Sequence, residues 1–242
     1  MNEHILKRFD ERLDKLIGRL DRMGAMAREQ VGTALLALAE SNSASALQVI
    51  ERDAKLDKLD IKIDKLGMAI VAAHQPVAMD LRLIMAGLSI NRMIERIGDC
   101  AVNIAERVTL LGNDAQVVHR TRILEMGAVA ERMVVDAMQA FLHLDVERAR
   151  AVCLTDDSVD EMDSENFRVL TALMSSEPAR IEPCSHLLLV NRNVERIADL
   201  STGIAEEVFF LANATIVRHR KWTDPTVESS TESAKLEEAK EE

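Results

Sequence analysis

The segment ERIGDCAVNIAE, Glu95 to Glu106, returns one hundred residues later as ERIADLSTGIAE, Glu195 to Glu206. Asn91, Arg92, Glu95, Arg96, Ile97, Asp99, Ile104, Ala105, Glu106 and Val108 each recur as the identical residue at that offset. A second pair of segments, DAKLDKLD from Asp53 and DDSVDEMD from Asp156, matches at an offset of 103, so the first copy holds three additional residues before Glu95. Matches at a fixed spacing mark an internal duplication. This constrains the fold more than any single motif does, because whatever unit one half forms, the other half must form too.

That unit reads as helical. Of 242 residues 48% are hydrophobic, yet there are only five Phe, one Trp and no Tyr. Ala, Leu, Met, Glu, Lys and Arg dominate, and these side chains lose little rotamer freedom in a helix. A β-sandwich or barrel would call for more β-branched, aromatic and turn residues. The length suffices for two small domains, each burying its own core.

Three helices fit the first half. From His4 to Glu40, Ile5, Phe9, Leu13, Leu16, Leu20, Met23 and Ala27 recur near helical spacing. The stretch SNSAS, Ser41 to Ser45, offers a break and N-caps. A second helix then carries Leu56, Leu59, Ile63, Leu66 and Ile70. AHQPVA turns the chain, with Pro76 suited to a first helical turn, into a third helix from Val77 to Leu111. The second half repeats the plan: helix four from Val117 to His143, helix five with Asp145 at its N-cap, a turn at Pro178, and helix six to about Arg220. Short turns between long helices imply antiparallel neighbours. The expected fold is all-α, a tandem repeat of two antiparallel three-helix bundles, residues 1–113 and 114–221, followed by a disordered acidic tail, 222–242.

The acidic residues fall into stripes. Asp53, Asp57, Asp60 and Asp64 share one face of helix two, while Leu56, Leu59, Ile63 and Leu66 form another. Lys55, Lys58, Lys62 and Lys65 lie almost opposite the aspartates and are badly placed to neutralise them. Three successive like-charge pairs cost on the order of 1 kcal/mol, a local loss that something else must offset. On helix three, Glu95, Asp99 and Glu106 lie away from Ile90, Ile94, Ile97, Ala101, Ile104 and Val108. Helix six repeats this with Glu195, Asp199 and Glu206 against Val190, Val194, Ile197, Ile204 and Val208. Carboxylates are hard oxygen donors for magnesium, manganese, calcium or ferric iron, and an i,i+4 pair puts two of them on one side of an ion. Two readings stand together: faces that converge on a cation, or faces that stay solvated and salt-bridged, with Arg92, Arg96, Arg192 and Arg196 nearby.

Other classes are excluded or disfavoured. The net charge of −11 argues against a general nucleic-acid binder, which needs a basic footprint. No apolar run approaches the roughly 20 residues of a membrane span, and the N-terminus lacks a signal-peptide core, so a cytosolic protein is expected. Cys100, Cys153 and Cys184 show no C-x-x-C pairing and read as small core or surface residues. His4, His74, His119, His143, His186 and His219 are scattered near helix ends and turns, and read as surface or capping groups. No Glu-x-x-His, G-x-S-x-G or Walker-type loop is present, so an enzyme is not expected.

ERIGDCAVNIAE, preceded by QPVAMDLRLIMAGLSINRMI and repeated one hundred residues on, resembles the PhoU family of phosphate-transport regulators, and the resemblance covers nearly all of residues 5–215. It implies a cytoplasmic protein that represses the phosphate-starvation response and restrains phosphate uptake. Such a protein links the ATPase of the phosphate ABC transporter to the phosphate-sensing histidine kinase, at the inner membrane only through those partners. It also implies a homodimer and metal ions (Fe, Mn, Mg or Zn) on the acidic faces; in this sequence Leu88 and the apolar residues beside it are candidate dimer contacts. Glu95, Asp99, Glu195 and Asp199 carry over as the E-x-x-x-D ligands, and Asp53, Asp57, Asp156 and Asp160 as the facing D-x-x-x-D groups. Cys100 and Leu200 stand where family members often carry His, and Gly203 replaces the Asn found at Asn103. The competing expectation is a metal-free helical adaptor that docks its acidic faces on a basic partner.

Overall fold

The structure, a computed structural model, describes residues 2–213, all but a few of them in helices. These are α1 (Asn2–Glu40), α2 (Ser43–His74), α3 (Ala78–Leu111), α4 (Ile123–His143), α5 (Val146–Ser176) and α6 (Ile181–Asn213), with short 3-10 segments at Gly112–Arg120 and Pro178–Arg180. The apolar stripes become the core. Leu16, Leu20, Met23 and Ala27 of α1 are buried, as are Leu56, Ile63 and Ile70 of α2. All of Ile90, Ile94, Ile97, Ala101, Ile104 and Val108 on α3 are inaccessible, and so are Val190, Val194, Ile197, Ile204 and Val208 on α6. Each Leu, Ile, Val or Met in this set contributes roughly 1.5–3 kcal/mol through removal from water, and the alanines less.

Helices α1, α2 and α3 pack on one another, and α4, α5 and α6 do the same, which gives the two bundles expected from the repeat. The bundles are not beads on a string. α3 lies along α6 and α1 against α4, so the four helices make one central body, with α2 and α5 flanking it, each on its own bundle. The α3–α6 seam is antiparallel: Met93 sits against Gly203, and Asn103 donates to Asn193 at 3.3 Å. Shifting each residue of one pair by the repeat offset gives the other pair, so the duplicated helix packs on its own copy about a pseudo-two-fold axis. A Cβ on Gly203 would come within 3.1 Å of the Met93 sulfur, so a larger residue here, such as the Asn103 of the first copy, would require Met93 to shift. Leu88, a candidate dimer contact, packs within the chain, with its side chain 2.7 Å from where a Cβ on Gly67 would lie.

Local boundaries depart from the sequence reading at two places. Pro76 precedes α3 rather than joining its first turn: Gln75 adopts the left-handed conformation that ends α2, and Val77 is an extended N-cap. Helix α4 starts at Ile123, not Val117, because the chain first runs through the 3-10 segment and an extended Thr121. Its first turn is fixed from a distance, by Asn166 of α5, whose Oδ1 accepts the Arg122 backbone N–H at 2.6 Å. Asp145 caps α5 as expected, accepting from the Arg148 N–H at 3.0 Å. The acidic tail, 222–242, and the end of the expected sixth helix lie outside the described residues.

Two buried asparagines tie each third helix to the second. Asn91 Nδ2 donates to Asp60 Oδ1 at 2.6 Å and to Asp64 Oδ1 at 3.2 Å. Asn191 Nδ2 donates to Asp163 Oδ1 at 2.7 Å. The second clamp is larger, since Asn191 Oδ1 also accepts from buried Asn166 Nδ2 at 2.8 Å, which continues the chain to the start of α4. In the first copy Ile63 occupies the place of Asn166, and Asn91 Oδ1 is buried without a partner. A hydrogen bond to a charged group contributes about 1.5–3 kcal/mol, and orphaning a buried polar atom costs a further desolvation penalty of about 1–3 kcal/mol. Asn191→Ala is therefore expected to lower the urea midpoint more than Asn91→Ala, because only the former strips the buried Asn166 Nδ2 of its oxygen acceptor and leaves it the weak Met126 Sδ contact at 3.8 Å. Equal or reversed shifts would contradict the chain of contacts.

Candidate functional site

The four carboxylate stripes are brought together pairwise. Asp53 and Asp60 of α2 and Glu95 of α3 are half-buried in the groove between the two helices, with Asp57 and Asp99 at its exposed rim. Glu95 is pushed above the usual carboxylate range first by burial and then by Asp99, Asp60, Asp57 and Asp53. Asp53, Asp60 and Asp99 are raised too, again chiefly by burial, with at least one neighbouring carboxylate adding to each. Among the described residues none of these five carboxylates forms an ion pair. Asp53 accepts a long hydrogen bond of 3.4 Å from Gln30 of α1, a buried side chain whose own Oε1 has no partner.

The second copy repeats the arrangement more deeply. Burial and then Asp160, Asp199 and Asp157 push Asp156 up to about 6. Glu195 is pushed up to about 7, mainly by burial and then by Asp199, against the opposing pull of Arg192. Asp163 and Asp199 are raised by burial first, with Asp160 adding to both. Arg192 Nη1 donates to Glu195 Oε1 at 2.6 Å, while Glu195 Oε2 is buried with no partner. Among the described residues this is the one ion pair within the two clusters, and farther along the α3 stripe Glu106 pairs with Arg107 at 3.4 Å. Arg196 of α6 acts on Asp99 as well as Asp199, so the two clusters share a cation across the seam.

All eight residues carried over from the resemblance lie in these two clusters, four in each. Asp60 and Asp163 join them, although the D-x-x-x-D pattern stops short of both. Asn91 and Asn191 hold Asp60 and Asp163 in place, and their signal was their identity at the repeat offset. Gln30 and Asn166 gave no signal, since neither has a counterpart in the repeat's matched segments.

The donor set is all carboxylate oxygen, the chemistry of a hard cation. As the side chains stand, no three Asp, Glu, His or Cys donors among the described residues close around one ion position. The thiols offer nothing to either cluster. Cys100, Cys153 and Cys184 are buried, and burial pushes Cys100 up to about 11 and raises the other two. His74 packs edge-on against Phe9 at 5.4 Å, and His119 and His143 are exposed at the ends of helical segments. No described helix is long and apolar enough to cross a membrane.

Comparison with known proteins bears on both copies. The family model for the PhoU domain matches twice, at residues 20–108 and 123–208. The phosphate-specific transport system accessory protein PhoU homolog of Caulobacter vibrioides is 36% identical over 211 residues, 87% of this chain and 92% of that protein. The homolog of Zymomonas mobilis is 36% identical over 210 residues, covering 86% and 88%. The crystal structure of PhoU from Pseudomonas aeruginosa superposes with a TM-score of 0.81 at 31% identity, over 86% of this chain and all of that one. The phosphate transport system regulatory protein PhoU of Streptococcus pneumoniae shares the fold at 24% identity, with a TM-score of 0.77. The duplicated domain, the relatives and the shared fold agree, and the chain belongs to the PhoU family.

Proposed function

We propose that this protein is a cytoplasmic negative regulator of the phosphate-starvation response and of phosphate uptake. It acts as a homodimer between the ATPase of the phosphate ABC transporter and the phosphate-sensing histidine kinase, and binds metal ions on its two acidic faces. Membership of a family of phosphate-transport accessory proteins supports the pathway. The observation that carries the mechanism is the pair of carboxylate clusters at matching register, held together against their own repulsion. The chain itself performs no reaction in this account, and nucleotide hydrolysis belongs to the transporter.

A divalent or ferric cation would supply the positive charge that the first cluster lacks and take up the orphaned oxygen of Glu195. Glu95, Asp99, Glu195 and Asp199 would hold it from α3 and α6, and Asp53, Asp57, Asp156 and Asp160 from α2 and α5. The side chains must draw inward to close on an ion, so binding would tighten α2 onto α3 and α5 onto α6. That change in surface is what a partner would read. A second reading is favoured by the open spacing of the donors: a metal-free adaptor whose acidic faces dock on a basic surface. Chelator-insensitive partner binding that falls steeply with salt distinguishes it.

The first test is elemental analysis of protein equilibrated with Mg, Mn, Fe and Zn, beside the Glu95→Ala, Asp99→Ala, Glu195→Ala, Asp199→Ala quadruple variant. Stoichiometric metal in the wild type, lost in the variant together with repression but not with helicity, is the expected result. Metal-free wild type, or repression unchanged in the variant, would overturn the cation role.

Stability of the chelated protein gives an independent check. Folded Glu195 and Asp156 hold their protons up to about pH 7 and 6, well above their ordinary values. Between about pH 4 and 7 the folded state therefore binds more protons at these groups than the unfolded one, and stability falls as pH rises. In chelator, the thermal midpoint is expected to climb as pH drops from 8 to 6. A midpoint that falls over that window would contradict the cluster electrostatics.

A further inference from the structure

The two ends of the α3–α6 seam are equivalent by the pseudo-two-fold but chemically unlike. At one end Met93 fills the space over Gly203, and Ser89 donates to Glu207, itself buried, at 2.8 Å. At the other end the corresponding residues are Asn193, Asn103, Leu189 and Arg107. With Arg192, Arg196 and Asp199 they line an open groove of about 430 Å³. In a chain of net charge −11, three guanidinium groups thus face one groove.

These groups have hydrogen-bonding capacity in reserve. Arg107 pairs with Glu106 at 3.4 Å and Arg192 with Glu195 at 2.6 Å, each through one nitrogen, and Arg196 forms no ion pair among the described residues. A guanidinium carries five N–H donors in a planar fork. Asn103 Nδ2 spends one hydrogen on Asn193 Oδ1, and Asn193 Nδ2 spends one on the Leu189 carbonyl at 2.7 Å, so each keeps a second. Guanidinium and amide donors lining one groove suit a tetrahedral oxyanion, which accepts a bidentate bond from one arginine and has further oxygens left for the other donors, where a carboxylate has only two.

We infer that this groove binds a phosphate-class oxyanion, held by Arg107, Arg192 and Arg196 with Asn103 and Asn193. Asp199, Glu106 and Glu195 leave the empty groove close to neutral, so recognition comes from donor geometry rather than bulk charge. The duplication supplied two equivalent ends; one was packed shut and the other kept polar and open. The identification of the anion as free phosphate rests on the regulatory reading above, whereas the preference for an oxyanion rests on the groove alone.

Calorimetric titration of the purified chain in chelator tests it without partner, metal or repression assay, so its failure is separable from failure of the regulatory role. Inorganic phosphate and AMP serve as separate probes, one for free phosphate and one for a phosphate monoester. Saturable 1:1 binding is expected, weakened at least about tenfold by Arg196→Gln or Arg107→Gln, the loss of one charge-assisted bond. Arg92→Gln, at the filled end of the seam, is expected to leave affinity unchanged, and circular dichroism establishes that all three variants fold. Binding of AMP alone supports the groove but severs it from free phosphate. No saturable binding of either anion, or equal weakening by Arg92→Gln, overturns the inference.

Discussion

The packing of α3 on α6 is the contact on which the rest of the molecule depends. Each helix carries an apolar stripe, Ile90 to Val108 on one and Val190 to Val208 on the other, the second interrupted by buried Ser201, whose hydroxyl donates to the Ile197 carbonyl; this stripe commits one face to its own bundle. The seam uses a second face, where Met93 meets Gly203 and Asn103 meets Asn193. With those two faces buried, the carboxylate face of each helix can only turn toward α2 or α5. The acidic grooves are thus a consequence of how the duplicated helix satisfies its apolar surface twice over.

Electrostatics then divides the two copies. The same carboxylate pattern gives one cluster without ion pairs among the described residues and another in which Arg192 meets a single oxygen of Glu195. The more deeply buried second cluster holds its protons harder, with Glu195 pushed up to about 7 despite that arginine. Burial outweighs the ion pair because the desolvation of a carboxylate is large and an exposed arginine is screened by water. A stripe of like charges that fold energetics do not explain is the feature that calls for a ligand or partner.

Much of this was legible in the sequence. The repeat, the composition and the apolar periodicity specify six helices in two bundles, and the four acidic stripes locate the grooves. The side-by-side seam was not legible, because Met93, Asn103, Asn193 and Gly203 form no periodic pattern and have meaning only once two helices face each other. The start of α4 was missed for a similar reason: Asn166, forty-four residues along the chain from Arg122, fixes it. Asn91 and Asn191 stood among the matched residues, yet buried asparagine has no helical periodicity to announce its role. The open groove was hidden too, since Arg107 and Glu207 differ at equivalent positions and a repeat search rewards identity. Local pattern gives elements and faces, whereas pairwise tertiary contacts decide which differences between copies matter.

The central claim is that both acidic faces are organised by cations. Anomalous diffraction from crystals grown with manganese, collected on either side of its absorption edge, tests that claim most directly. The account requires one or more peaks in each groove, between Asp53, Asp57, Glu95 and Asp99 and between Asp156, Asp160, Glu195 and Asp199. Grooves without anomalous density at saturating manganese would contradict it, and so would manganese bound only elsewhere on the surface.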